Sequence, residues 1–134
     1  MNKALSLLLI FFIYQNVVFS QQTMLWRDVD IQKFGKETIY KNLKGEKLTG
    51  LFKIADRNGA YSKITFSDGF ISDSKFNYDA DGILYSKINY KNSLKDGHFT
   101  VYYTDESIKR KGFYIAGKKM ENGLPIIKKV MKLQ

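Results

Sequence analysis

From residue 48 onward, apolar side chains fall on alternate positions. Phe52 with Ile54, Ile64 with Phe66, Phe76 with Tyr78, Ile88 with Tyr90 and Phe99 with Val101 form pairs two residues apart. Lys53, Lys63, Thr65, Lys75, Asn77, Lys87 and Asn89 occupy the alternating or neighbouring polar positions. Successive side chains of a strand point to opposite faces, so this period predicts strands with one buried and one wet face. No helical spacing is sustained after residue 20. Arg57-Asn58-Gly59, Ser67-Asp68-Gly69, Asp79-Ala80-Asp81-Gly82 and Ala116-Gly117 separate the runs. Asn-Gly and Asp-Gly favour the positive φ that hairpin turns require. The chain is thus expected to be all-β, an antiparallel β-meander of hairpins.

The hairpins repeat. Tyr61-Ser62-Lys63-Ile64 returns unchanged as Tyr85-Ser86-Lys87-Ile88, 24 residues on. The same offset relates Phe66, Tyr90 and Tyr114, and also Gly69, Ser93 and Gly117. Phe52 and Phe76 obey it, and Phe99 arrives one residue early, as a shortened loop would produce. Tyr40-Lys41-Asn42 matches Tyr90-Lys91-Asn92, which places a degenerate copy first. One unit is two strands and two turns. It cannot bury its own apolar face, so the units are expected to sit side by side in a single curled sheet.

The recurring pattern is an Asn/Asp-Gly turn, a short alternating strand with an aromatic, a second turn, then Gly-x-Phe. It reads Leu48-Thr49-Gly50-Leu51-Phe52, Lys95-Asp96-Gly97-His98-Phe99 and, in part, Glu121-Asn122-Gly123. This resembles the variant MORN (membrane occupation and recognition nexus) repeat of exported bacterial proteins of the YwqK-family antitoxin type. The resemblance covers about Glu37 to Gly123 and departs from the pattern at Ser74 and Ser93. It implies a non-catalytic repeat sheet used for binding. The antitoxin type implies neutralising a partner protein by occupation, and MORN repeats elsewhere are associated with membranes.

The N-terminus reads differently. Lys3 precedes an apolar run through Leu7-Leu8-Leu9-Ile10-Phe11-Phe12-Ile13, and Val18-Phe19-Ser20 offers small residues at a cut site. These are the parts of a secretory signal peptide. The run is short of the ~20 residues of a membrane-spanning helix, the alternative reading. Cleavage is expected after Ser20, placing the product in the periplasm or outside the cell. The chain then divides into a signal peptide at 1–20, a lead-in at 21–36, the repeat sheet at 37–123 and a basic C-terminal segment at 124–134.

Charge and chemistry narrow the function. The 134 residues carry a formal charge of +9, no cysteine and a single histidine. A basic protein suggests nucleic acid, but export argues for envelope lipids, polysaccharides or proteins instead. His98 should face solvent on a strand, with no nucleophile or ligand partner. The aspartates fall mostly at turns, where their side chains bond backbone N–H groups. Asp79-x-Asp81-Gly82 begins like a calcium loop, yet Tyr90 stands where the closing glutamate belongs. No catalytic residue, cofactor site or metal site is expected.

The remaining candidate is a binding face. Lys63, Lys87 and Lys111 recur at equivalent positions and should form a line, with Lys53 and Lys75 on the same face and Tyr61 and Tyr85 beside them. Such a face suits a protein partner, antitoxin-like or scaffold-like. That is the leading reading; the alternative is an anionic lipid or polysaccharide of the envelope. Solubility and protection of sheet edges explain the lysines without a ligand. The oligomeric state is left open.

Overall fold

The computed structural model describes residues 20–121 and 124–125. The expected signal peptide, apart from Ser20, lies outside the described residues. So does the expected C-terminal segment, apart from the backbone of Leu124 and Pro125. The described chain is all-β, with no α-helix and so none long and apolar enough to cross a membrane.

Its strands are β1 (Gln22–Leu25), β2 (Val29–Phe34), β3 (Glu37–Asn42), β4 (Gly50–Ala55), β5 (Tyr61–Ser67) and β6 (Phe70–Tyr78). There follow β7 (Leu84–Lys91), β8 (Leu94–Tyr102), β9 (Ile108–Ile115), β10 (Lys118–Glu121) and β11 (Leu124–Pro125). Strands β4 to β11 form an antiparallel meander in which each strand pairs with the next. Strand β1 adds to the free side of β4 in parallel, completing an open sheet of nine strands. The expected single sheet is therefore accompanied by a second, since β2 and β3 pair only with each other. The boundary placed at residue 37 falls inside that hairpin, and the lead-in supplies β1, a sheet edge.

Two kinds of turn alternate. At Asp68–Gly69, Asn92–Ser93 and Ala116–Gly117 both residues have positive φ, the two-residue hairpin turn whose twist matches the strands it joins. At the other end, Asp56 N–H donates to the Ala60 carbonyl at 2.8 Å and Asp79 N–H to the Ile83 carbonyl at 3.0 Å. Tyr103 N–H likewise donates to the Ser107 carbonyl at 2.8 Å. The Asp79 carboxylate accepts N–H bonds from Asp81 and Ile83, and that of Asp105 accepts one from Ser107. These aspartates close turns.

The turn decides which face each residue joins. Asp68–Gly69 pairs Phe66 with Ile71, so Ile71 enters the core beside Phe66. Side chains alternate, and the two-residue irregularity that follows preserves parity, so Lys75 and Asn77 share the face of Ile71. Phe76 and Tyr78, expected on the apolar side, lie on the opposite face. Pairing bears this out: Lys75 stands between Ile64 and Ile88, whereas Phe76 stands between Lys63 and Lys87. The position matching Phe52 and Phe99 is thus Lys75, because the shortened loop precedes it.

The core gathers at one end of the sheet. Phe52, Ile54, Ile64, Phe66 and Ile71 are joined by Val29 and Leu48, with Met24, Trp26, Tyr40 and Tyr90 packed around them. The β2–β3 hairpin covers this end, its Tyr40 ring 5.2 Å from that of Phe66. It is anchored through backbone: Tyr40 N–H donates to the Gly69 carbonyl at 2.8 Å, and Gly69 N–H to the Leu48 carbonyl at 2.8 Å. Burial pushes the Tyr90 phenol up to about 12, with Tyr40 and Tyr114 adding to the effect.

A polar chain crosses the same face. Ser62 Oγ donates to Asn77 Oδ1 at 2.7 Å, and Asn77 Nδ2 donates to Ser86 Oγ at 2.8 Å, all three residues being buried. A buried amide without partners is costly, but here both of its ends are bonded. Asn77→Leu should lower stability by about 1–3 kcal/mol in urea unfolding, because both serine hydroxyls lose their partner in a buried site.

Candidate functional site: the open lysine face

The register places one row of side chains across six strands on the face opposite the core. Lys53 pairs with Lys63, Lys63 with Phe76, Phe76 with Lys87, Lys87 with Thr100, and Thr100 with Lys111. Five steps of about 4.8 Å give a row roughly 24 Å long. Lys63, Lys87 and Lys111 stand on alternate strands of it, and Lys53 extends it by one strand. Core burial accounts for this arrangement: once Phe52, Ile64 and Ile88 face the core side, the lysine beside each must face away.

Lys53, Lys63 and Lys87 are seated on aromatic rings. Lys53 Nζ lies 4.1 Å from the Tyr61 ring centre, Lys63 Nζ 5.4 Å from that of Tyr78, and Lys87 Nζ 5.4 Å from that of Phe76. Tyr61 and Tyr78 stack on each other, 4.7 Å apart and 12° from parallel. Each ring thus meets its neighbour and a cation. A cation over an aromatic face gains about 0.5–1 kcal/mol at exposed sites, enough to restrain a lysine that would otherwise sample many rotamers. The tyrosines hold cations rather than offer a flat platform.

No carboxylate among the described residues lies within ion-pair distance of the row. Among the described residues the ion pairs are Arg27–Asp28 at 3.7 Å and Lys47–Asp68 at 3.0 Å, both elsewhere. Like charges directly opposed on adjacent strands are destabilising, as at Lys53 and Lys63.

The other expected residues separate. Lys75 belongs to the core face, its ammonium 5.1 Å from the Trp26 ring centre. Burial lowers its pKa, and the nearby Lys95 lowers it further. Tyr85 is 47% exposed at the irregularity opposite Tyr78 and lies beside the row, not under one of its lysines. Phe76 and Tyr78, the seats of Lys87 and Lys63, were not expected here; the two-residue turn at Asp68–Gly69 is the signal that places them. His98 is exposed and meets Phe113 edge-on at 4.9 Å. Among the described residues, no group of three His, Cys, Asp or Glu side chains could hold a metal ion. Replacing His98 by Ala should leave ligand binding unchanged in a titration, as it lies outside the row.

No protein-family model matches the chain, and no curated protein matches it.

Proposed function

We propose that the protein is an exported, non-catalytic binding module that holds a linear anionic polysaccharide of the cell envelope along the lysine row. The observation that carries this reading is the row itself: four cations in line without an ion-pair partner among the described residues, three of them pre-set on rings. Restraining side chains before binding reduces the entropy lost on association. A linear polymer can meet all four, whereas a small anion can meet one or two.

The recurrence of the two-residue turn at Asp68–Gly69, Asn92–Ser93 and Ala116–Gly117, at 24-residue spacing, supports a sheet built from one repeated hairpin unit. This agrees with the MORN resemblance. The antitoxin-like reading, occupation of a partner protein, calls for an apolar interface centre. The exposed large apolar side chains are scattered over β2 (Ile31, Phe34), β7 (Tyr85), β9 (Ile108, Phe113, Ile115) and the turns (Leu43, Tyr103). On the lysine face Phe113 and Ile115 stand at the β9 margin, and half-buried Phe76 in the middle is flanked by Lys63 and Lys87. A bilayer surface would favour a broad patch with apolar insertion over a single row.

Two variants with the same charge change test the proposal. Changing Lys53, Lys63, Lys87 and Lys111 to Gln should weaken alginate binding at least tenfold at low salt, since four charge contacts at the solvent-facing surface, of up to ~1 kcal/mol each, are lost. Changing Lys33, Lys36, Lys41 and Lys44 to Gln on the hairpin side should weaken it far less. Equal losses would make the interaction one of net charge and refute the row. Binding to anionic vesicles but not to alginate would move the ligand to lipid.

A further inference from the structure

A second candidate site lies at the end of the sheet, away from the lysine row's centre. There the 3-10 turn Trp26–Asp28 leaves β1 beside the turn that ends β4, and the two enclose a groove of about 450 Å³. This volume falls within the roughly 300–1,000 Å³ of small-molecule sites. Leu25, Trp26 and Ala55 supply its apolar lining, and Arg27, Asp56, Arg57 and Asn58 its polar lining.

The polar groups differ in how far they are already engaged. Asn58 Oδ1 accepts the Ala60 N–H at 3.1 Å and is committed to the turn. Arg57 has no acidic partner within ion-pair distance among the described residues, and Arg27 reaches only Asp28, at 3.7 Å between largely exposed side chains. The Asp56 side chain makes no hydrogen bond among the described residues, although its backbone closes the turn. The groove thus combines an apolar lining, two available guanidinium groups and the Asp56 carboxylate, which makes no side-chain hydrogen bond among the described residues and has the Lys75 ammonium as its nearby opposite charge. Guanidinium matches a carboxylate through two parallel N–H···O bonds. A carboxylate accepts an amide N–H.

We propose that this groove binds an apolar carboxylate, with the ligand's apolar body against Leu25, Trp26 and Ala55 and its carboxylate on Arg57 and Arg27. The free C-terminus of a peptide ending in an apolar residue fits every group, because its last amide N–H can donate to Asp56. Capture of a C-terminal carboxylate is a recurring mode of peptide recognition. A free aromatic acid shares the chemistry but has no use for Asp56. This site is independent of the lysine row, and either can fail without the other.

Trp26 is the single tryptophan of the chain, so its fluorescence reports on the groove directly. Titration of the protein with N-acetylphenylalanine should change the emission saturably. N-acetylphenylalaninamide, which lacks the carboxylate, should bind at least tenfold more weakly, as should the acid to Arg57→Gln. Asp56→Ala should weaken N-acetylphenylalanine and spare 3-phenylpropionate, which has no amide, if the occupant is a peptide terminus. If both acids bind equally and neither responds to Asp56→Ala, the occupant is a free aromatic acid. No saturable change with either acid, equal binding of acid and amide, or unchanged affinity in Arg57→Gln would overturn the proposal.

Discussion

Phe66→Ala is expected to destabilise the protein by about 3–5 kcal/mol, the range for removing a buried aromatic ring. Phe66 is 2% exposed and lies where the sheet meets its covering hairpin, with Tyr40 at 5.2 Å and Phe52 edge-on at 5.7 Å. Removing it opens a cavity between two layers that approach each other there through Tyr40 and through the Gly69 backbone bonds. The strands beneath are held by ladder bonds and cannot collapse freely into the space, so relaxation recovers little. Urea unfolding should show a lower midpoint for this variant. A loss below 1 kcal/mol would mean that the hairpin does not pack where it is placed.

Gly69→Ala is expected to cost about 2–4 kcal/mol, for two separable reasons. Its φ is +84°, a conformation in which any L side chain is strained by roughly 1–2 kcal/mol. A Cβ there would also lie 2.8 Å from Ile39 Cγ2 and 3.2 Å from the Tyr40 carbonyl oxygen, so the hairpin must shift or its anchoring bonds must stretch. Gly45 is the control. It has φ +83° and nothing within 4 Å of an added Cβ, so Gly45→Ala should show the strain alone. The difference between the two substitutions, read in the same urea series, measures how tightly the β2–β3 hairpin is docked. Equal effects would contradict that docking.

Much of this architecture was visible in the pattern of residues. Alternation at Phe52/Ile54, Ile64/Phe66 and Ile88/Tyr90 marks strands because burial on one face imposes that period. The turn pairs at Asp68–Gly69 and Ala116–Gly117 are visible because few residues accept positive φ. The face of β6 is not legible in this way, since Phe76 and Tyr78 have the composition of a buried pair yet lie on the open face. Aromatic residues suit the exposed side of a strand as well, and the arithmetic of the preceding turn, not hydrophobicity, decides the parity. Lys75 illustrates the same point from the other side: a lysine stem can lie on a core face when its ammonium reaches a ring such as Trp26. Strands β1 to β3 were hidden for another reason. The parallel contact of β1 with β4 and the placement of the β2–β3 hairpin depend on long-range packing, which leaves little local signature.

The line of Lys63, Lys87 and Lys111 was readable from spacing alone, since equal offsets in a meander return to alternate strands. Its extension to Lys53, and the ring beneath each of Lys53, Lys63 and Lys87, required the cross-strand register. Removing the four row charges should lower folding stability by about 1–2 kcal/mol in urea unfolding, because three cation–π contacts of about 0.5–1 kcal/mol each are lost and relief of the Lys53–Lys63 repulsion offsets only part of that.

Lysine acetylation footprinting with and without alginate, read by mass spectrometry, tests the central claim most directly. The reagent labels each exposed amine in proportion to its access, so protection locates the polymer on the surface. Lys53, Lys63, Lys87 and Lys111 should be protected together, in proportion to bound alginate, while Lys33, Lys36 and Lys44 of the β2–β3 hairpin side continue to react. Uniform protection of all lysines, or protection confined to the hairpin, would contradict the account.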